Sequence, residues 1–156
     1  MKYRIISCLI VVFIAFFDQL SKNYVQSLIS EGNLQVISNL SFVSVWNHGV
    51  SFGFGDNFPM ANLLFVIITA IISIALVVTI WMTENKMIMI AAGTVLGGAI
   101  GNIIDRLRFG AVYDFIDMHI QNFHWPAFNI ADAMIFIGII MLFVGDVYAK
   151  YDSKHG

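Results

Sequence analysis

Asp114 and Asp132 are the residues of this sequence whose surroundings most invite chemistry. Asp114 sits in Ala-Val-Tyr-Asp-Phe-Ile, an apolar run with no basic neighbour in sequence. Asp132 closes Phe-Asn-Ile-Ala-Asp, where the chain enters an apolar helix. A carboxyl in a dry place has its pKa raised. A carboxylate in the first turn of a helix gains from the helix dipole and stays ionised more easily. If folding brings the two within a few ångströms, they share one proton and titrate as a unit. The ionised member can then deprotonate a water while the protonated member donates to a carbonyl oxygen. Spacing along the chain does not by itself establish that meeting.

Other polar residues crowd the same level. Asp18 and Lys22 stand i,i+4 with the acid first, a favourable helical pair that satisfies both charges if buried. Asp105, followed by Arg106, is expected to anchor structure by capping backbone groups or pairing with an arginine. Asp117 and the amides Asn47, Asn102 and Asn129 belong to the same level. Two other chemistries are thinkable. Ser51 and His48 could form a nucleophile and base, but no orienting acid is indicated. Asp114, Asp117, His119 and His124 could offer oxygen and nitrogen ligands to a metal, though without the helical His-Glu-x-x-His pattern. His119 and His124 are more simply interfacial residues. Glu31, Asp56, Glu84, Asp146 and Asp152 are expected to be solvated charges, and Cys8 to be inertly packed.

These groups need elements to hold them, and the composition says which kind. The 156 residues are 59% hydrophobic and 12% charged, with a net charge of −2. Soluble domains carry roughly 25% charged residues. A chain of this size has too little interior to hide so much apolar surface, so the excess faces lipid. One cysteine excludes a disulfide scaffold and a multi-cysteine metal site. The absence of a Lys/Arg cluster excludes a nucleic-acid binder. Charge-free runs at 57–83 and 87–104 are long enough to span a bilayer. Ile5–Phe17 and Ala133–Gly145 are shorter, and must extend through Asp18 and Asp132 to do so.

The reading is an all-α membrane protein, a single domain over 1–156, with helices at about 5–28, 58–82, 87–105 and 130–149. Outer segments cover about 30–57 and 106–129, where Leu34–Ile37 and Phe42–Trp46 are β-branched or aromatic and suit a small sheet. The first helix is expected to stay uncleaved, since no small-x-small site follows it. Lys2, Arg4, Lys86, Lys150 and Lys154 on one side, against Arg106 and Arg108 on the other, put both termini in the cytoplasm. Gly93, Gly97 and Gly101 form a small-residue row that suits close helix packing, or else a groove for a substrate helix.

At this point the sequence resembles the lipoprotein signal peptidases, the type II signal peptidases of bacteria. Four blocks carry the likeness over nearly the whole chain. They are Asp18-Gln19-Leu20-Ser21-Lys22, Asn47-His48-Gly49-Val50-Ser51-Phe52-Gly53, the run from Gly97 through Asn102, Asp105 and Arg106 to Gly110–Asp117, and Phe128-Asn129-Ile130-Ala131-Asp132. The resemblance implies four transmembrane helices with a small extracytoplasmic β-cradle, and an aspartic peptidase with Asp114 and Asp132 as its catalytic pair. It implies that Asp18, Lys22, Asn47, Gly49, Asn102, Asp105, Arg106 and Asn129 bind substrate or support the site. The implied substrate is a prolipoprotein whose signal peptide is cut away just before a diacylglyceryl-modified Cys. The implied place is the inner membrane, with the site near the outer face. Neither a metal nor an organic cofactor is expected, and the partners are signal peptides and membrane lipid, with no nucleic acid. The sequence departs from the family pattern at Val50, Ser51, Tyr113 and Ala133. Two other classes stand beside this one: a small proton- or ion-coupled transporter using buried acids, and a non-catalytic scaffold using the glycine face.

Overall fold

The structure is a computed structural model that describes residues 1–29, 32–49 and 61–155. Expectations placed on Glu31, Val50, Ser51 and Asp56, and on the side chains of Lys150, Asp152 and Lys154, lie outside the described residues. In chain order the elements are α1 (Lys2–Leu28), β1 (Leu34–Ile37), β2 (Leu40–Asn47), α2 (Ala61–Met82), α3 (Lys86–Phe109), β3 (Val112–Ile120), β4 (Phe123–His124) and α4 (Ile130–His155). Among the described residues, all four helices are long and apolar enough to cross a membrane.

α3 is the spine of the bundle. Over its most apolar stretch 61% of the residues are buried, against 6% for α2, which buries Leu76 and Ile80 against α3 and leaves most of its other side chains to lipid. Glycine explains why neighbours come so close. A Cβ at Gly93 would meet the Ser7 backbone at 3.0 Å, and one at Gly97 would meet Ile14 at 2.8 Å, both on α1. On another side of α3, a Cβ at Gly98 would strike the Ala131 carbonyl oxygen of α4. The glycine row is therefore filled by helix packing, and no groove remains there for a substrate helix. Without a hydrophobic drive between helices in lipid, such close van der Waals contact and a few polar links do the holding. Ser7 Oγ supplies one, donating to the Met89 carbonyl at 2.8 Å.

The helix ends follow local chemistry. Asn85 caps α3, its Oδ1 accepting from the backbone N–H of Met87 and Ile88. Gly110, with φ +73°, ends it in the left-handed conformation that glycine adopts freely. α3 thus runs a turn past the expected 105, because Arg106 and Arg108 suit the negative end of the helix dipole and do not stop it. Cys8 corrects another expectation: it is exposed on the flank of α1.

Beyond the helices lies an antiparallel sheet in the order β1-β2-β3-β4. β2 pairs with β3 so that Leu40 faces Met118 and Asn47 faces Val112, with a register shift between Phe42 and Val45. The sheet rests on the bundle through Tyr113 and Phe115, which pack on Val25 and Ile29 from the end of α1 and its exit, together with Phe42 and Trp46. That contact, and the short link from α3 into β3, fix Asp114 above the helix ends.

Candidate active site

Three elements deliver the polar cluster. α1 brings Asp18, Gln19 and Lys22. The end of α3 brings Asn102, Asp105 and Arg106. The start of α4, with the residue just before it, brings Asn129 and Asp132. The sheet closes the cluster from outside with Asp114 on β3 and Asn47 at the end of β2.

At the base is a buried ion triad. Lys22 Nζ lies 2.7 Å from Asp18 and 2.8 Å from Asp105. Burying charge is costly unless every group is paired and hydrogen-bonded, and here the remaining positions are filled. The Ala131 N–H, in the first turn of α4, donates to Asp18 at 2.8 Å. The Tyr113 N–H donates to Asp105 at 3.2 Å, and the Gln19 amide donates to its other oxygen at 2.7 Å. Asp105 therefore holds a backbone group, one of the two roles the sequence offered, while its charge partner is a lysine from α1 and not an arginine. Gln19 stood in the motif without an assigned task. Its signal was an amide beside a buried acid on an otherwise apolar helix.

Above the triad the amides link the two catalytic candidates. Lys22 also donates to Asn102 Oδ1 at 3.2 Å. Asn102 Nδ2 donates to Asp132 Oδ1 at 2.8 Å. Asn129, fully buried, reaches both carboxyls: its Nδ2 donates to Asp114 Oδ1 at 2.6 Å, and its backbone N–H donates to Asp132 Oδ2 at 3.3 Å. The Asn129 side-chain oxygen accepts from the Asp132 N–H at 2.9 Å, which caps α4. Asn47 Nδ2 donates to the second oxygen of Asp114 at 2.9 Å, and Asn47 Oδ1 accepts from the Gly49 N–H at 2.8 Å. Gly49 holds φ +85°, and a Cβ there would collide with the Phe65 ring, so this turn is built for glycine.

Burial from water pushes the Asp114 carboxyl up to about 6 from the usual 3.8, and the neighbouring Asp132 charge pushes it the same way. The Asn47 and Asn129 amides, and more weakly Lys22, pull against that rise. Arg106 lies close enough to feel the charges of Asp114, Asp132 and Asp105. Its guanidinium stacks 4.8 Å above the Phe65 ring, and its buried Nη1 has no hydrogen-bond partner among the described residues. All ten residues singled out in the sequence thus gather at one end of the bundle, nine of them through hydrogen bonds or ion pairs. Asp117 departs from the group: it turns to His124 at 2.9 Å instead.

Comparison with known proteins agrees in extent. The family model described as Signal peptidase (SPase) II matches residues 10–148. A lipoprotein signal peptidase of Anaplasma phagocytophilum (strain HZ) is 39% identical over 142 residues, 90% of this chain and 91% of the relative. One from Aquifex aeolicus (strain VF5) is 37% identical over 150 residues, 94% and 88% of the two chains. A solved bacterial membrane enzyme, obtained by the in meso method at 2.3 Å resolution, superposes with a TM-score of 0.79 at 34% identity. It covers 96% of this chain and 92% of its own.

Proposed function

Since this chain belongs to the signal peptidase II family, we propose that Asp114 and Asp132 are its catalytic pair and that Asn129 holds them to one task. The chain is a membrane peptidase of the lipoprotein signal peptidase kind, and the transporter alternative has no support. Its substrates are prolipoproteins. The finer statement is our reading: the scissile bond precedes a Cys that already carries diacylglycerol.

The observation that carries this reading is the double grip of Asn129, whose side chain and backbone each donate to a different carboxyl. One proton is shared by the pair. The ionised carboxylate takes a proton from water as the water oxygen attacks the peptide carbonyl carbon. The protonated carboxyl donates to the carbonyl oxygen, giving a neutral tetrahedral diol. As the diol collapses, one hydroxyl gives its proton to the ionised carboxylate, the other carboxyl gives its proton to the departing nitrogen, the C–N bond breaks, and the pair again holds one shared proton. Arg106, whose Nη1 has no partner among the described residues and which feels the charge of both acids, stabilises the negative charge that develops on the carbonyl oxygen. Asp18, Lys22 and Asp105 are the charged footing that sets Asn102 and the start of α4. Asn47 and Gly49 shape the turn that meets the substrate.

The protein belongs in the bacterial inner membrane as a multi-pass enzyme. We place both termini in the cytoplasm and the site near the outer face. Arg4 donates to the Trp81 carbonyl at 3.0 Å and Lys86 lies 5.1 Å from the Tyr3 ring, a basic and aromatic end opposite the acids that suits the cytoplasmic interface. The test uses purified protein with a diacylglyceryl prolipoprotein and its unmodified counterpart. Cleavage of the lipidated form alone, lost in Asp114→Asn and in Asp132→Asn, is expected. Full activity in either variant overturns the pair.

A further inference from the structure

The β3–β4 ribbon carries a second cluster that the peptidase chemistry does not use. Asp117 and His119 stand two apart on β3, so they share one face of the strand. His124 on β4 is the direct cross-strand partner of His119. The three side chains therefore converge. His124 Nδ1 lies 2.9 and 3.0 Å from the two Asp117 oxygens, and His119 Nδ1 lies 3.6 Å from the nearer one. The two imidazoles stack with centroids 4.9 Å apart and planes inclined by 23°. One ligand atom from each residue falls within 4.8 Å of the other two.

His119 is the telling member. Its side chain is 12% exposed, yet its buried Nδ1 has no hydrogen-bond partner among the described residues. A buried polar atom left unpaired is costly. A hydrogen bond between Asp117 and His124 explains those two residues but leaves His119 unexplained.

We propose that Asp117, His119 and His124 form a divalent transition-metal site, occupied by zinc, which ties β3 to β4. Two imidazoles and one carboxylate suit Zn2+ and not the all-oxygen ions Ca2+ or Mg2+, and water fills the fourth position. Tetrahedral zinc with bonds of about 2.0–2.1 Å needs ligand atoms about 3.3 Å apart. The 2.9 and 3.6 Å from the histidine nitrogens to Asp117 bracket that value, and a small closing of the two imidazoles, whose ligand atoms lie within 4.8 Å, completes the set. Both histidines present Nδ1, so each keeps its proton on Nε2. His124 is half exposed and gives the ion its way in. Side chains alternate along a strand, so Asp117 and His119 point to the face of β3 opposite Asp114. The metal is a clasp on the sheet and takes no part in peptide hydrolysis.

The test uses full-length protein in detergent, with any affinity tag removed and metal stripped by chelator. Titration with Co2+ is expected to give the visible d–d bands of four-coordinate cobalt, saturating at one equivalent and displaced by Zn2+. His124→Ala, an exposed position that folding tolerates, and Asp117→Asn are expected to weaken binding at least tenfold, while His48→Ala leaves it unchanged. Zinc is expected to raise the Tm of the parent protein but not of His124→Ala. Absence of the bands, or undiminished binding in His124→Ala and His119→Ala, overturns the site.

Discussion

Asp114 meets opposing influences, and their balance makes a pH prediction. Burial and the Asp132 charge raise its pKa to about 6, while hydrogen bonds from Asn47 and Asn129 favour the ionised form. The active state holds one proton in the pair, so kcat/KM falls as pH rises through the upper apparent pKa of the pair, at about 6 or above. Removing a donor to the carboxylate disfavours ionisation. Asn47→Ala is therefore expected to move the alkaline limb to higher pH, readable from kcat/KM profiles; a shift to lower pH contradicts the account. Asp114→Asn and Asp132→Asn are each expected to cut kcat about a thousandfold or more while the protein still inserts. At this scale the sequence was informative where motifs were dense. The acids and amides of the four blocks reached the site, with the exception of Asp117, which turns to His124. For Asp105 the backbone role offered by the sequence is present at Tyr113, but its charge partner Lys22 was not foreseen because it comes from another helix. Asp114 and Asp117 looked like members of one possible metal set, but only a strand assignment shows that they belong to opposite faces.

At the scale of elements, the contacts of α3 decide the stability. Lys22 neutralises charge between two carboxylates in a nearly dry place. Lys22→Met is expected to destabilise the protein by about 3–5 kcal/mol, because two uncompensated acids remain buried; denaturation in detergent measures it. Gly98→Ala would push a methyl into the Ala131 carbonyl and Ile135. Backbone cannot yield as a side-chain tip can, so a loss of about 1–3 kcal/mol is expected, whereas alanine at Gly110, where no atom lies within 4 Å, meets only backbone strain from φ +73°. The spans were legible because charge-free runs of bilayer length leave little choice. The glycine row was legible as a close-packing face but silent about its neighbour. Only the fold shows α1 lying along it, with α4 on Gly98.

For the whole molecule, sidedness is the property still to be measured. With the basic end inward, the turn at Ser38 and Asn39 lies outside and Glu84 lies inside. In a Cys8→Ala background, a cysteine placed at Ser38 is expected to react with a membrane-impermeant maleimide in intact cells, and one at Glu84 only after permeabilisation. The reverse pattern would invert the topology. Loop charges supplied that prediction, and the fold adds a clustering of acids at one end that charge counting could not supply.

The bundle is also lopsided. α1, α2 and α4 all lean on α3, but among the described residues α2 and α4 make no substantial contact with each other. Arg106 ends α3 beside α2 and Asp132 opens α4, so the two unpaired helices flank the level of the site. If the lipidated substrate proposed above enters between those two helices, it arrives edgewise without ever leaving the oily sheet it lives in. Turnover then becomes a problem of two-dimensional traffic, and stiffening the surrounding acyl chains by cooling should slow the enzyme more steeply than its chemistry alone would.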